Sequence, residues 1–421
     1  MIKLSIIIPF SQNEKDISLL FDIKKKFKNY EIIFVGNSKN NFVKKNINII
    51  KKISKVYFIK NSNRAKCLNF GAYLAENELL WFIHLDSKIL DIPSNFIKEI
   101  DLTKINSFKL KFKNKKFLLN YIGANLRSKI LKNPFGDQSY LMTKDIFFYV
   151  NMFDERLQEA EDHEFIIRSV CKKVKINILP HSIISSERKY IKKGHIFLTF
   201  IYFYKTFFQM INFFLKNMKF LKIDYIIIVF TKFPFSKDSK SRLRSKLSNS
   251  TVNKLNKYLQ EKTFTEIKKI NSSSFVLALQ ITNLKKQSLE YFNNFSKILI
   301  SKKNLGLAMQ KIYKFFKFKF KKIIFIGTDT PELKAEDIKN SVKMLNYYNN
   351  YFIRTKDGGF CLFASKDKWI DDIFPKVQYS RKDTFKKFSK LTKNKKVSDF
   401  IYEDIDRPNQ AIKFIGSGTQ N

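Results

Sequence analysis

Cysteine is nearly absent from this chain of 421 residues: Cys67, Cys171 and Cys361 lie far apart and form no CxxC pair. That excludes a disulfide framework or a cysteine-built zinc site and fits a reducing compartment. Arginine is scarce as well, since 10 of the 80 basic residues are Arg and 70 are Lys, against 37 acidic residues. A net charge of +43 ordinarily points to nucleic acid or an anionic membrane. Lys, however, is a solvated point charge without the planar fork that reads phosphates and bases. Nucleic acid is therefore disfavoured. The Phe, Ile and Asn that accompany the Lys fit AT-rich coding, with an anionic membrane surface as the alternative partner. Apolar residues at 44% and charged residues at 28% exclude global disorder and permit sizeable cores. The length suits two ordinary domains and a small third. The opening MIKLSIIIPF holds an apolar run too short for a signal peptide, so a buried strand is expected there. A cytoplasmic protein, or one peripheral on the inner membrane face, is expected.

The first 90 residues alternate between strand and helix patterns. Residues 4–9, 31–35, 56–59 and 79–84 read as strands, and 16–28 and 67–75 as helices. This rhythm predicts a mostly parallel α/β sheet. Ligands of such sheets sit at the carboxyl ends of strands, where Gln12 to Glu14, Gly36 to Ser38 and Asp86 fall. Residues 195–221 are aromatic-rich, without Pro or Gly, and carry Lys205, Gln209, Asn212 and Lys216. The central Lys205 argues against a membrane span. An interfacial amphipathic helix with snorkelling Lys, or a helix packed on protein, is expected. The strand rhythm then restarts at 225–230, 275–279, 323–326 and 360–363. The expected division is 1–194, a linking helix at 195–221, and 222–421.

In the first half the polar candidates are Glu14, Arg64, Asn69, Asp86, Asp137, Gln138 and the cluster Glu159, Glu161 and Asp162. A strand-end Asp beside a basic residue suits a metal-bound diphosphate, the carboxylate holding Mg²⁺ or Mn²⁺. A second carboxylate across the pocket could take a proton from an acceptor hydroxyl. Taken singly, a strand-end Asp is an ordinary loop or cap residue, and an acidic cluster an ordinary solvated face.

In order, SIIIPF, SQNE, EIIFV, NRAKCLNFGAYLAENELLWFIHLDS, FGDQ, Phe153-Asp154-Glu155, Glu161-Asp162 and Arg168 resemble family 2 glycosyltransferases of the GT-A fold. The nearest pattern is the radical-SAM/selenodomain-associated subgroup linked by name to arsenosugar biosynthesis. The resemblance implies a nucleotide-sugar donor, a divalent metal and inversion at the anomeric carbon. It assigns the metal to Asp86, the base to Asp162 with Glu161 beside it, and the nucleotide pocket to Pro9, Glu14, Arg64 and Asn69. Asp137 and Gln138 fall on the acceptor side, the acceptor being a small molecule or lipid-linked. The pattern departs at Gly36, where an Asp contacting base or ribose is usual, at Asn63 for Gly and at Cys67 for Gln.

In the second half the loop TKFPFSKDSKSRLRSKL crowds Lys232, Lys240, Arg242 and Arg244 after a strand. It reads as a phosphate cradle or as a solvated basic loop. Asp329 and Asp357 follow on Gly-containing loops and suit a shared divalent ion. These segments, with Leu305-Gly306 and Asp404 to Pro408, resemble the partner transferase family of the same subgroup, also GT-A-like. Nucleotidyltransferases share its layout. The expected whole is thus α/β, two tandem GT-A (nucleotide-diphospho-sugar transferase, Rossmann-like) domains forming a bifunctional glycosyltransferase. The alternatives are a C-terminal half that makes the activated donor, one that has decayed to a regulatory domain, or a non-enzymatic basic binding protein.

Overall fold

In the computed structural model the described residues are 3–89, 91–114, 118–130, 132–186, 204, 208, 223–271, 275–281, 291–292, 294–301 and 304–418. The expected linking helix at 195–221 lies outside them except for Tyr204 and Phe208. Among the described residues no helix is long and apolar enough to cross a membrane. The chain divides into two compact units, Met1–Leu221 and Lys222–Asn421.

The first unit runs β1 (Leu4–Phe10), α1 (Ser18–Lys26), β2 (Glu31–Asn37), α2 (Asn41–Lys45), α3 (Ile47–Lys51), β3 (Lys55–Ile59), α4 (Arg64–Leu74) and β4 (Leu79–Phe82). It continues with β5 (Ile105–Lys111), α5 (Leu118–Ile130), β6 (Tyr140–Thr143), α6 (Lys144–Val150), α7 (Glu161–Cys171) and β7 (Ile176–Ile184). Its seven strands lie in the order β3-β2-β1-β4-β6-β5-β7, with β6 antiparallel to both neighbours. In β1, Leu4, Ile6, Ile7 and Ile8 are wholly buried, because a parallel strand covered on both faces must be apolar on both. Each such side chain contributes roughly 1.5–3 kcal/mol of burial. The register sets Pro9 opposite Val35 and Phe10 opposite Gly36, so β1 and β2 end level.

The second unit repeats the plan with β8 (Tyr225–Lys232), β9 (Phe275–Ile281), β10 (Lys297–Ser301), β11 (Lys322–Gly327), β12 (Asn350–Thr355), β13 (Phe360–Ser365) and β14 (Lys395–Tyr402). Its order is β10-β9-β8-β11-β13-β12-β14, and β13 is antiparallel to both neighbours. Strand for strand this is the first sheet again. A register shift interrupts β5 against β7 and also its counterpart β12 against β14. The chain is therefore two tandem Rossmann-like α/β domains. In each, the first strand lies between partners reached by opposite crossovers, which opens a crevice at its carboxyl end.

Candidate active sites

The crevice of the first unit is a cavity of about 510 Å³ lined by Pro9, Glu14, Asn37, Arg64, His84, Asp86 and neighbours. β1 delivers Pro9, the turn after β4 delivers His84 and exposed Asp86, and α4 delivers Arg64. That helix starts at Arg64, earlier than the expected residue 67, because the Asn63 side chain caps it by accepting from Lys66 N at 2.9 Å. The cap aims Arg64 back across the cavity floor. Its Nε bonds Glu161, its Nη2 lies 3.6 Å from Asp162 Oδ1, and its Nη1 lies 3.5 Å from His84 Nε2.

Glu161 and Asp162 occupy the first turn of α7, where the helix dipole favours anions. Asp162 Oδ2 accepts from Gly136 N at 2.8 Å and Oδ1 from His163 N at 2.9 Å. A Cβ at Gly136 would lie 2.3 Å from Asp162 Oδ2, so only glycine lets that backbone approach. Burial pushes the Asp162 carboxyl up, yet Arg64, His84 and the two backbone N–H groups outweigh it and hold it below the usual carboxylate range. Burial likewise opposes the Arg64 charge, and Asp162 and Glu161 override it to hold the guanidinium above its ordinary value. Glu161 is 1% exposed, and among the described residues its Oε2 has no hydrogen-bond partner.

Two expectations are corrected. Asn69 does not line the cavity: it is buried, donates to Phe153 O and Glu155 Oε1 at 2.9 Å and accepts from Phe153 N at 3.0 Å. It ties α4 to the loop before α7. Gln138 is fully buried, donating to Phe108 O at 2.9 Å and accepting from Ser128 Oγ at 2.7 Å, so no acceptor can reach it. Asp137, its neighbour, is half-buried near Tyr140. The missing Asp at position 36 also has a cause. A Cβ there would lie 2.2 Å from Phe10 O and 2.3 Å from its ring, and Asn37 lines the cavity in its place.

The second crevice is a larger cavity, about 1110 Å³, lined by Lys240, Arg242, Asp329 and Asp357 and by Asp404, Arg381, Lys382 and Arg407. Lys240, 4% exposed, pairs with Asp329 Oδ1 at 2.7 Å and donates to Ile405 O. Ile405 N in turn donates to Asp329 O at 2.9 Å. The three loops are thereby clasped, and Lys240 is engaged rather than free for phosphate as a cradle would require. Arg244 is likewise engaged, bonding Ser236 O, Ser239 O, Asn249 and Asn253 to shape its own loop. Exposed Arg242, which pairs with Asp406 at 2.5 Å, stands on the rim with exposed Arg381, Lys382 and Arg407. Asp357 Oδ1 accepts from Thr355 Oγ1 at 2.6 Å and Gly359 N at 3.1 Å.

Asp404 is the most perturbed of these carboxyls. Burial pushes it up to about 7, Asp329 and Asp357 add to that, and the Thr330 hydroxyl and Lys240 work against it. Sequence reasoning saw Asp404 only within a motif, because its burial depends on the Thr330 loop far away in the chain. Arg381 and Lys382 were indistinguishable from the general Lys background. Three neighbouring carboxylates with one buried ammonium are a setting that a divalent cation would relieve, and Asp86 supplies one carboxylate in the first cavity. Among the described residues no three His, Cys, Asp or Glu side chains already form a metal cage.

Residues 268–381 match the family described as "Uncharacterized protein conserved in bacteria (DUF2064)". No curated protein matches the sequence. Among solved structures, the chain is similar to a mannosyltransferase from Pyrobaculum calidifontis in complex with GDP-Man and Mn²⁺ at 14% identity and a TM-score of 0.36, covering 43% of this chain and 56% of that one. It is also similar to S. aureus TarS 1-349, at 17% identity, TM-score 0.36, and 62% and 80% coverage. A third is the 4-diphosphocytidyl-2C-methyl-D-erythritol synthase from Anaerococcus prevotii, at 12% identity, TM-score 0.34, and 47% and 97% coverage. The chemistry of this chain rests on its own residues.

Proposed function

We propose that the first unit transfers a sugar from a nucleotide-sugar donor to an acceptor hydroxyl, and that the second binds another nucleotide or nucleotide sugar. The observation that carries this reading is that Arg64, which lines the cavity at the sheet's switch point together with Asp86, is paired behind it with Glu161 and Asp162. Pro9 and Glu14 would line the nucleotide, and Asp137 would face the acceptor. Mg²⁺ or Mn²⁺ held by Asp86 would neutralise the leaving diphosphate. Asp162, kept ionised by Arg64 and the Gly136 N–H, would accept the acceptor's hydroxyl proton as that oxygen bonds to the anomeric carbon. The carbon's bond to the diphosphate oxygen breaks on the opposite face, giving inversion. Arg64 acts through Asp162 and Glu161 and so positions the base. The radical-SAM-associated subgroup and its arsenosugar link rest on motif order alone, and no residue here recognises arsenic.

A second reading holds for the second unit. A basic rim around Asp329, Asp357 and Asp404 in the larger cavity suits a nucleoside triphosphate, which favours a nucleotidyltransferase that makes the activated donor. Incubating the protein with nucleoside triphosphates and sugar phosphates separates the two: pyrophosphate release supports the nucleotidyltransferase and its absence removes it. For the first unit, release of nucleoside diphosphate from nucleotide sugars should need Mn²⁺ and vanish in Asp86→Ala and Asp162→Ala. Turnover unchanged in both would refute the assignment.

A further inference from the structure

Helix α5 is amphipathic the wrong way round for a helix that only covers a sheet. Its inner side packs Tyr121 and Ala124 on Leu110 and Phe112. The rest of that side is polar: Asn125 bonds Leu110 N at 2.7 Å and Leu110 O at 2.9 Å, and Ser128 donates to Gln138 at 2.7 Å. Outward stand Ile122, Leu126 and Ile130, at 48%, 56% and 66% exposure. Spaced by four residues, they form one ridge within about 80° of arc. Gly123 beside them faces open space, and Lys129 and Lys132 are exposed at the ridge's end.

The charge around this ridge is mainly positive, although Lys111 is paired with Asp91 at 2.8 Å. Between Asp101 and Asp137 the sequence has nine basic residues and no acidic one, and Lys109, Lys111 and Lys113 on and after the adjoining β5 are exposed. An aliphatic ridge ringed by Lys matches an anionic lipid surface, which takes apolar side chains below its headgroups and lysines among them. A second copy of the chain would instead set these lysines against themselves, since a two-fold contact is self-complementary.

We propose that α5 docks this unit onto an anionic bilayer through Ile122, Leu126 and Ile130, with Lys129 and Lys132 at the headgroups. The proposal does not depend on the sugar-transfer reading. The helix is built into the loop that carries Asp137, through Ser128 on Gln138 and Arg127 stacked 3.5 Å over Phe135, so docking brings that loop to the lipid surface.

The test is co-sedimentation of the full chain with phosphatidylcholine vesicles, with and without phosphatidylglycerol. Wild type is compared with Ile122→Ser/Leu126→Ser/Ile130→Ser and with Lys129→Glu/Lys132→Glu, circular dichroism confirming that these surface changes leave the fold intact. Wild type should pellet with the anionic vesicles alone, and each variant should lose at least about tenfold in partitioning. Triple-variant binding equal to wild type would overturn the proposal, as would no wild-type binding to anionic vesicles. A dimer that the triple variant dissolves, without vesicle binding, would also overturn it and make the ridge a self-contact.

Discussion

Replacing Asp404 by Asn should stabilise the second unit, and by an amount that depends on pH. The Asp404 carboxyl stands at about 7 against an ordinary 3.8, mainly because it is buried. Below about pH 4 it is protonated in both folded and unfolded chains, and the two proteins should differ little. Between there and about pH 7 the unfolded chain has released the proton and the folded chain has not, so wild-type stability falls as pH rises. Above about pH 7 the loss is complete. At about 1.36 kcal/mol per decade, the gap amounts to up to about 4 kcal/mol. The Asn variant removes the charge while its carbonyl can still accept from Thr330. Urea unfolding of the full chain at about pH 5 and about pH 8 measures the difference. The Asn variant should gain over wild type as pH rises, and Mn²⁺ should narrow the gap by stabilising the ionised wild type. A difference equal at both pH values, or a less stable Asn variant at the higher one, would refute the electrostatic reasoning.

Other substitutions probe the first cavity. Gly136→Ala drives a Cβ to 2.3 Å from Asp162 Oδ2 and should lower turnover roughly 100-fold by misplacing the base, as initial rates would show. Arg64→Met leaves Glu161 buried without its cation and should cost about 3–5 kcal/mol, read as a lower urea midpoint for the first unit. Asn69→Ala should destabilise by about 1–3 kcal/mol through its lost buried hydrogen bonds yet leave nucleotide affinity unchanged by titration, since Asn69 does not reach the cavity.

The strands framing each crevice were legible because β1, β2, β4 and their counterparts are short, largely apolar runs buried on both faces. The edge strand β3 was legible too, but β5 and β14 were not. β5 carries Asn106 and Ser107 at 0% exposure, polar residues satisfied by side-chain bonds to other loops, and β14 begins Lys395-Lys396. Asp86 and Arg64 could be placed from motif order, since both sit where a strand or helix begins or ends. Asn69 and Gln138 misled for one reason: polar side chains that pin distant loops look, in a single sequence, like polar side chains that meet a ligand. Arg64's pairing with Glu161 and Lys240's with Asp329 each join residues about ninety apart, and no local pattern encodes that contact.

The most direct measurement is nucleotide-sugar binding in Mn²⁺ by wild type, Asp86→Ala and Asp329→Ala. The expected result is two classes of site, one lost in each variant. Binding by Asp86→Ala indistinguishable from wild type, or no nucleotide binding at all, would contradict the assignment of the first crevice to a nucleotide-sugar donor.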